Sequence, residues 1–332
     1  MKWLLRIGLV VVLLVVVAAV AGFILIDNIA TAAVQKGAAF ATQTDVAVEK
    51  VDVQVFGSTA TIINLDISNP DGDYLKVIET FPEEYQEAFK SFLILGNGTA
   101  QITIGKVLSD KIEIDKVELS DIEISLVGKD GKKNYEIILE ALKRFQGDAP
   151  PKETESEKQV FIKELIISNI TVYYYFDEDP ALGAIAVGPK KIVMADKEPM
   201  VLKDVGSGGV PMSQITADII TDIMVQVTAN LAGDLGGHMK GLANSLIDTI
   251  GAGKFGETLG ELGLGDSLEA LGGLGIDLGD GVIKGGSDLI EGTGGAIKGL
   301  LGGKKDEEKK EGEDKPEEDK EDKGVLEGLN PF

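Results

Sequence analysis

The chain of 332 residues contains no cysteine and one histidine, and it is also poor in arginine. Without cysteine there is no disulfide framework, no thiolate nucleophile and no cysteine-ligated metal. A lone histidine, His238, excludes sites built from several histidines and removes the usual general base of a catalytic triad. Arg6 and Arg144 are the only arginines, so bidentate phosphate clamps are scarce.

The charge balance excludes a further class of partner. Lys and Arg total 32 against 55 Asp and Glu, which gives a net charge of -23. Nucleic acids are bound chiefly through basic side chains that neutralise phosphates, so we predict no nucleic-acid partner. The acidic runs Glu83–Glu84 and Asp177–Asp179 are interpreted as solvated loop residues, because no nucleophile, base and orienting group occur together. We therefore expect no catalytic residues, no cofactor and no metal site.

The N-terminal residues predict a membrane anchor. Residues 7–26 form a run of 20 residues without a polar side chain, and 15 of them are Leu, Ile, Val or Phe. A helix of this length spans roughly 30 Å, the thickness of a bilayer hydrocarbon core. Lys2 and Arg6 precede the run, and the positive-inside rule then places the N-terminus in the cytoplasm. Residues 1–27 are thus predicted to anchor an exported remainder, 27–332, to the bilayer.

The alternative for this segment is a cleaved signal peptide. Ala19-Val20-Ala21 fits a small-x-small cleavage site. The apolar run continues to Ile26, however, which is longer than a normal signal-peptide core and favours an uncleaved anchor. Both alternatives export the rest of the chain.

Residues 28–232 have the pattern of an α+β domain. Apolar and polar residues alternate at Ile112-Glu113-Ile114, Val117-Glu118-Leu119 and Ile122-Glu123-Ile124, as in strands with one apolar and one solvated face. Antiparallel sheets tolerate one wet face, so we predict a mainly antiparallel sheet. Helical spacing of apolar residues predicts packed helices at 28–42, 82–92, 134–145 and 211–231.

A short pattern recurs along these strands. Each copy contains three spaced apolar residues followed by Ser-Asn or Ser-Asp, at Ile62–Asn69, Ile114–Asp121 and Ile162–Asn169. Repeated copies predict similar strand modules laid side by side, whose terminal Ser-Asx pairs supply turns and backbone hydrogen bonds. Chance similarity among alternating strands is the alternative.

Three further motifs follow one another in a fixed order. A strand ends in Asn69-Pro70-Asp71-Gly72, a strand pair follows at Ile102–Ile114, and Asp130-Gly131-Lys132-Lys133-Asn134-Tyr135 opens a helix. With the N-terminal anchor, this order over residues 1–205 resembles the AsmA-like family of bacterial envelope proteins. The resemblance implies anchoring in the bacterial inner membrane with residues 27–332 in the periplasm. It also implies an elongated sheet curved into an apolar groove, and a role in moving phospholipid and assembling the envelope.

The apolar side of the alternating strands is the candidate lipid-binding surface. One face of the sheet must be covered, either by the protein itself as a filled core or by acyl chains of phospholipid in an open groove. Both alternatives stay open on the sequence. The candidate groove residues are Ile62, Leu65, Ile67, Ile102, Ile104, Ile114, Val117, Leu119, Ile162, Leu165 and Ile167.

The C-terminal part has a different composition. Residues 233–303 are rich in glycine, which costs about 1 kcal/mol relative to alanine in a helix, so a flexible low-complexity spacer is favoured over a membrane-surface or self-associating segment. His238 lies in this segment between Gly236-Gly237 and Met239-Lys240, and it is interpreted as incidental and not catalytic. Residues 304–332 begin with a run of 11 acids and 7 lysines over 304–323, which predicts a disordered tail.

The expected function is therefore that of a membrane-anchored envelope protein that binds or handles lipid through an apolar groove, without catalysis. The alternative is a structural or protein-interaction module on a membrane stalk, with other envelope proteins as partners.

Overall fold

The structure is a computed structural model of the chain. It describes residues 26–54, 57–102, 109, 111–145, 158–179, 181, 183–194, 199–262, 264, 271–272 and 276. The predicted membrane segment, apart from Ile26, lies outside these residues, as do the groove candidate Ile104 and the tail 304–332. Within the ranges just given, none of the helices combines the length and the hydropathy that crossing a bilayer requires.

The described chain forms a sheet with helices before, within and after it. A first helix, α1, covers residues 26–42. A 3₁₀ segment lies at Asp73–Thr80 between the second and third strands. The strands are β1 Val46–Gln54, β2 Thr59–Ser68, β3 Ser91–Ile102, β4 Lys111–Lys129, β5 Lys132–Lys133, β6 Gln159–Ile167, β7 Ile170–Phe176, β8 Val187–Val193 and β9 Met200–Pro211. The other helices are α2 Glu83–Gln86, α3 Asn134–Lys143, α4 Met212–Leu235, α5 Gly237–Ile250 and α6 Ala252–Glu261.

The strands form one mixed sheet in the order β1-β2-β3-β4-β6-β9. The long strand β4 pairs with β6 along its first half and with β7 along its second half, both in parallel. The remaining pairings among the described strands are antiparallel. The α+β class is thus confirmed, with a mixed sheet whose parallel pairs both involve β4.

The main core lies between one face of the sheet and the helices. Apolar side chains from β2, β3, β4, β6 and β7 belong to the same buried cluster as residues of α1, α3, α4, α5 and α6. The long helix α4 contributes Ile215, Ile223, Met224 and Val227, each at most 2% exposed. The helices predicted at 28–42, 134–145 and 211–231 are confirmed, with ends that differ by a few residues.

The opposite face of the sheet is covered at one end, where the alternating pattern predicted contact with water. Leu126 and Val127 are neighbours on β4, so their side chains point to opposite faces, and both are fully buried. Val127 packs in a second cluster with Tyr173 and with Phe89, which follows α2. The segment between β2 and β3 therefore covers this end.

The predicted helix from Pro82 to Phe92 is wrong beyond its first turn. Helix α2 ends at Gln86, and β3 begins at Ser91, which pairs with Ser68 of β2. Phe92 therefore belongs to the strand. Pairing with the neighbouring strands outweighs the helical spacing of the aromatic residues.

The glycine-rich segment also differs from the flexible spacer expected from its composition. Residues 237–261 form α5 and α6. Leu246 and Phe255 on these helices are fully buried. Burial of such a side chain contributes about 1.5–3 kcal/mol, which exceeds the cost of about 1 kcal/mol for an interior glycine such as Gly241. Tertiary packing thus stabilises helices that would be unstable in isolation.

Candidate functional site

The candidate site is the apolar face of the sheet. Ten of the eleven predicted groove residues are described, and all of them belong to the main core or pack against it. Eight are buried, whereas Ile62 and Ile102 are half-buried. These side chains therefore lie on one face of the sheet, although the three-residue steps from Ile62 to Leu65, Ile114 to Val117 and Ile162 to Leu165 break strict period-two alternation. That face is covered by helices of the same chain.

Two copies of the sequence repeat lie side by side. The copies on β4 and β6 pair in parallel and in register, with the pairs Ile114–Ile162, Val117–Leu165 and Leu119–Ile167. The prediction of adjacent modules is confirmed for these two copies. The first copy lies on β2, which β3 separates from β4.

The Ser-Asx ends of these two copies, where turns were predicted, interrupt the ladder between β4 and its parallel partners β6 and β7. These four residues, Ser120, Asp121, Ser168 and Asn169, are called the crease below. Asp121 and Asn169 have φ angles of 58° and 60°, in the left-handed region that Asn and Asp tolerate. The Asn169 side-chain amide donates to Asp121 Oδ1 at 2.6 Å. Hydrogen bonds from Asn97 and Asn169 hold the pKa of the Asp121 carboxyl below its ordinary value.

A cavity of about 150 Å³ lies between this face and the helices. Its walls are apolar except for Thr216 of α4. Ala100 of β3 is the smallest side chain in the lining. Seven of the predicted groove residues line the cavity, namely Ile62, Leu65, Ile67, Ile114, Val117, Leu119 and Ile162.

The lining also includes residues that the sequence analysis did not assign to the site. Leu93 and Leu95 lie in the continuous apolar run of β3, where alternation is not visible and the inner face cannot be read from the pattern. Ile122, by contrast, lies in the clear alternation Ile122-Glu123-Ile124, so the sequence pattern could have identified it as a cavity residue. The helical walls come from Val34 of α1 and from α4, which contributes Met212, Ile215, Thr216, Ile219, Ile220 and Ile223.

Side chains of helix α1 form hydrogen bonds with the outer edge of β1, the strand at the end of the described strand order. Asp27 Oδ1 accepts a hydrogen bond from the Val53 backbone N–H at 2.8 Å, and Thr31 Oγ1 accepts one from Val51 N–H at 2.9 Å. The Gln35 amide donates to the Val46 carbonyl oxygen at 2.7 Å. Residues 27, 31 and 35 are four apart, so they lie along one side of the helix.

Helix α4 carries two carboxyl groups near α6. Asp218 Oδ1 lies 3.8 Å from Lys254 Nζ of α6. Burial, together with the charge of Asp218, raises the pKa of Asp222 from 3.8 to about 7. Burial also raises the pKa of Asp218, and Lys254 opposes this shift.

Two of the motifs that support the family resemblance meet inside the protein. The Asn134 side-chain amide donates to Asn69 Oδ1 at 2.7 Å and to the Ser125 carbonyl oxygen at 2.8 Å. Asn134 Oδ1 accepts a hydrogen bond from Val127 N–H at 2.9 Å. Asn69 is therefore part of a buried network and not part of the crease formed by the other two copies.

The acidic residues considered for catalysis have structural contacts. Asp177 Oδ2 accepts a hydrogen bond from Asp130 N–H at 2.6 Å, and Asp179 Oδ2 lies 3.6 Å from Lys133 Nζ. His238 is 3% exposed and stacks on Phe176 with ring centroids 4.6 Å apart. Across the described ranges, no three His, Asp or Glu residues are grouped so as to hold a metal ion.

No protein-family model matches the chain, and no curated protein or solved structure matches it either.

Proposed function

We propose that the chain is a membrane-anchored envelope protein that binds the acyl part of a lipid between its sheet and its helices. The observation that carries this proposal is the apolar cavity of about 150 Å³. Its walls have almost no polar groups, so the occupant that fits is a hydrocarbon. The cavity lies against the face whose strand pattern resembles the AsmA-like groove.

The size of the cavity limits what it holds at rest. An engineered apolar cavity of about 150 Å³ in another protein takes a guest the size of benzene, and typical ligand pockets begin near 300 Å³. A whole acyl chain therefore requires movement of the covering helices. With the helices in the positions described above, the cavity of about 150 Å³ accommodates a short stretch of alkyl chain.

The location rests on the sequence. The apolar run of residues 7–26 supports a single membrane span, and the basic residues before it support a cytoplasmic N-terminus. Residues 27–332 would then face the periplasm. The resemblance to AsmA-like proteins further supports a curved, elongated sheet, the inner membrane as the site, and a role in envelope biogenesis.

A second candidate is a structural or protein-interaction module without a lipid ligand. The observation that favours it is that α1 and α4 already cover the apolar face and that the opposite face is covered at one end. On this alternative the cavity is a packing defect of an ordinary core, and other envelope proteins are the partners.

Photolabelling separates the two candidates. The full-length chain in amphipol is incubated with a palmitate that carries a diazirine on its chain, irradiated and digested. Lipid binding predicts label on peptides spanning 215–223 and 62–67, which contain cavity-lining residues of α4 and β2. Native mass spectrometry of the same sample should show co-purified phospholipid.

A matched pair of variants makes this test specific. Ala100→Leu places a larger side chain in the cavity, whereas Gln101→Leu changes the neighbouring exposed residue on the other face of β3. Ala100→Leu should reduce labelling severalfold, and Gln101→Leu should leave it unchanged. Absence of label from both peptides in the wild-type chain would contradict lipid binding and support the structural alternative.

A further inference from the structure

Helix α1 covers the sheet in two different ways along its length. Its first part, residues 26–35, contacts β1 through the side chains of Asp27, Thr31 and Gln35. Ile29 in this part is 67% exposed. Val34 is half-buried and forms part of the cavity wall. This part is therefore held mainly by polar side-chain contacts at the edge of the sheet.

The second part of α1 is fastened by packing. Ala38 and Ala41 are at most 1% exposed. The ring of Phe40 meets the ring of Phe145 edge-on with centroids 5.9 Å apart, and the Arg144 guanidinium lies 4.4 Å from the centroid of the same Phe40 ring. This end of the helix is thus fixed to the residues that follow α3.

Gly37 lies between the two parts. A Cβ atom at this position would approach Met212 Cγ of α4 to 3.2 Å, so the two helices are in close contact here. Glycine also weakens a helix interior because it keeps more backbone freedom than other residues. The junction between the loosely held and the packed part therefore coincides with the position at which the helix bends most easily.

The position of β1 at the edge of the sheet explains why side chains of α1 bind its backbone where a neighbouring strand would otherwise pair. β1 is at the end of the strand order, and exposed edges pair with other chains unless they are covered. Residues 27 and 31 occupy the N–H groups of Val53 and Val51 without forming a β-ladder. These two side-chain hydrogen bonds protect the edge of β1. They can break one at a time, whereas the hydrogen bonds of a β-ladder break together.

We propose that residues 26–35 form a strap that swings away from β1 about Gly37 and thereby opens the cavity at Val34. The proposal rests on the function proposed above, because it names the route by which the acyl chain reaches that cavity. In it α4 stays in place, since most of its apolar residues are deeply buried, and α1 is the moving cover.

Locking the strap tests the proposal. Asp27 Oδ2 lies 4.0 Å from Lys50 Nζ, which joins the strap to β1. The chain has no cysteine, so Asp27→Cys with Lys50→Cys introduces the only two thiols. They are joined by a short bifunctional methanethiosulfonate, which dithiothreitol removes. In the full-length chain the lock should reduce diazirine-palmitate labelling of cavity peptides severalfold, and dithiothreitol should restore it.

A second pair controls for the chemistry. Asp73 and Lys76 form an exposed ion pair at 2.8 Å in the segment between β2 and β3. Cross-linking Asp73→Cys with Lys76→Cys should leave the labelling unchanged. Equal labelling of locked and unlocked strap variants would overturn the strap, whereas no labelling of the wild-type chain would overturn the proposed lipid binding.

Hydrogen exchange gives a measurement that does not depend on lipid. The amides of Val51 and Val53 should exchange by local opening, faster than amides at the centre of β3 and β4. Thr31→Val should accelerate exchange at Val51 severalfold. Thr249→Val is the matched control, because the Thr249 hydroxyl donates to Ser245 O within α5. Exchange at Val51 as slow as in the sheet centre would overturn the strap even if lipid binds.

Discussion

Asn134 donates a hydrogen bond to Asn69 Oδ1 at 2.7 Å and so joins two residues 65 positions apart. Asn69 donates in turn to the Phe89 carbonyl oxygen at 2.8 Å. The network ties the start of α3 to the end of β2 and to the segment that covers the second face of the sheet. Buried polar networks of this kind specify one arrangement, because each unsatisfied group would be costly.

Asn134→Ala should destabilise the protein strongly. It removes the acceptor of Val127 N–H and the donor to Asn69, and each buried group left unsatisfied costs about 1–3 kcal/mol. We expect a loss of about 2–5 kcal/mol in the free energy of unfolding, measured by urea denaturation. Asn97→Ala removes an exposed side-chain bond to Asp121 and should cost less than about 1 kcal/mol. Similar losses for both variants would contradict this account of the network.

The backbone conformation of Asn169 in the crease predicts that two substitutions at this position differ in stability. Asn169 has a φ of 60°, which costs a residue with a Cβ about 1–2 kcal/mol and costs glycine little. Asn169→Ala should therefore be less stable than Asn169→Gly by about 1 kcal/mol, although both lose the bond to Asp121. Thermal unfolding of the two variants measures the difference, and equal stability would mean that the backbone conformation is not the constraint.

The burial of helices α5 and α6 of the glycine-rich segment predicts that truncating one of their core side chains lowers the free energy of unfolding. Leu246 of α5 is fully buried, and Leu-to-Ala changes in cores typically cost about 2–5 kcal/mol. Leu246→Ala should fall in that range in urea denaturation. Ile185→Ala, at a position that is 74% exposed, is the control and should change the free energy of unfolding by less than about 0.5 kcal/mol. A negligible effect of Leu246→Ala would show that this segment is dispensable for the core.

The half-buried carboxyl of Asp222 on α4 predicts a pH dependence of stability. The pKa of Asp222 is raised from 3.8 to about 7, so the folded state binds this proton more tightly than the unfolded chain. Asp222 therefore does not destabilise the protein below pH 3.8, the ordinary pKa of the group. Its destabilisation grows as the pH rises from 3.8 to about 7 and is complete above about pH 7. Asp218, Lys254 and Glu261 are the charged groups that act on it.

Asp222→Asn removes this contribution. Relative to the wild type, the variant should gain stability as the pH rises from about 5 to about 7, and the gain should level off above that, on the order of a few kcal/mol at most. Urea midpoints measured at several pH values follow the difference. Asp248→Asn, at an exposed position of α5, is the control. A difference between Asp222→Asn and wild type that does not vary with pH would exclude Asp222 as the titrating group.

Much of the fold was predictable because it depends on neighbouring residues. Alternation identified the apolar side of β4 and β6, and helical spacing identified α3 and α4, since each pattern records which side of an element faces away from water. The repeat also predicted that Ile114 and Ile162 belong to adjacent modules, and they pair directly. The lipid ligand and the membrane anchor remain predictions.

Other features depend on residues that are far apart in the chain. The apolar run of β3 does not show which of its residues face inward, so Leu93 and Leu95 were missed as cavity residues. The contact between Asn69 and Asn134 has no local signal, because each motif is complete without the other. The stacking of His238 on Phe176 of β7 likewise has no local signal, because the two residues are 62 positions apart.

The sequence by itself determined that the sheet has an apolar face, because apolar and polar residues alternate over much of β4 and β6. Only the tertiary structure decided that α1 and α4 cover that face, and that a space of about 150 Å³ remains beneath them. It also decided that a glycine-rich segment folds into helices. The physical reason is that burial of distant apolar side chains, and not local propensity, supplies the free energy for both outcomes.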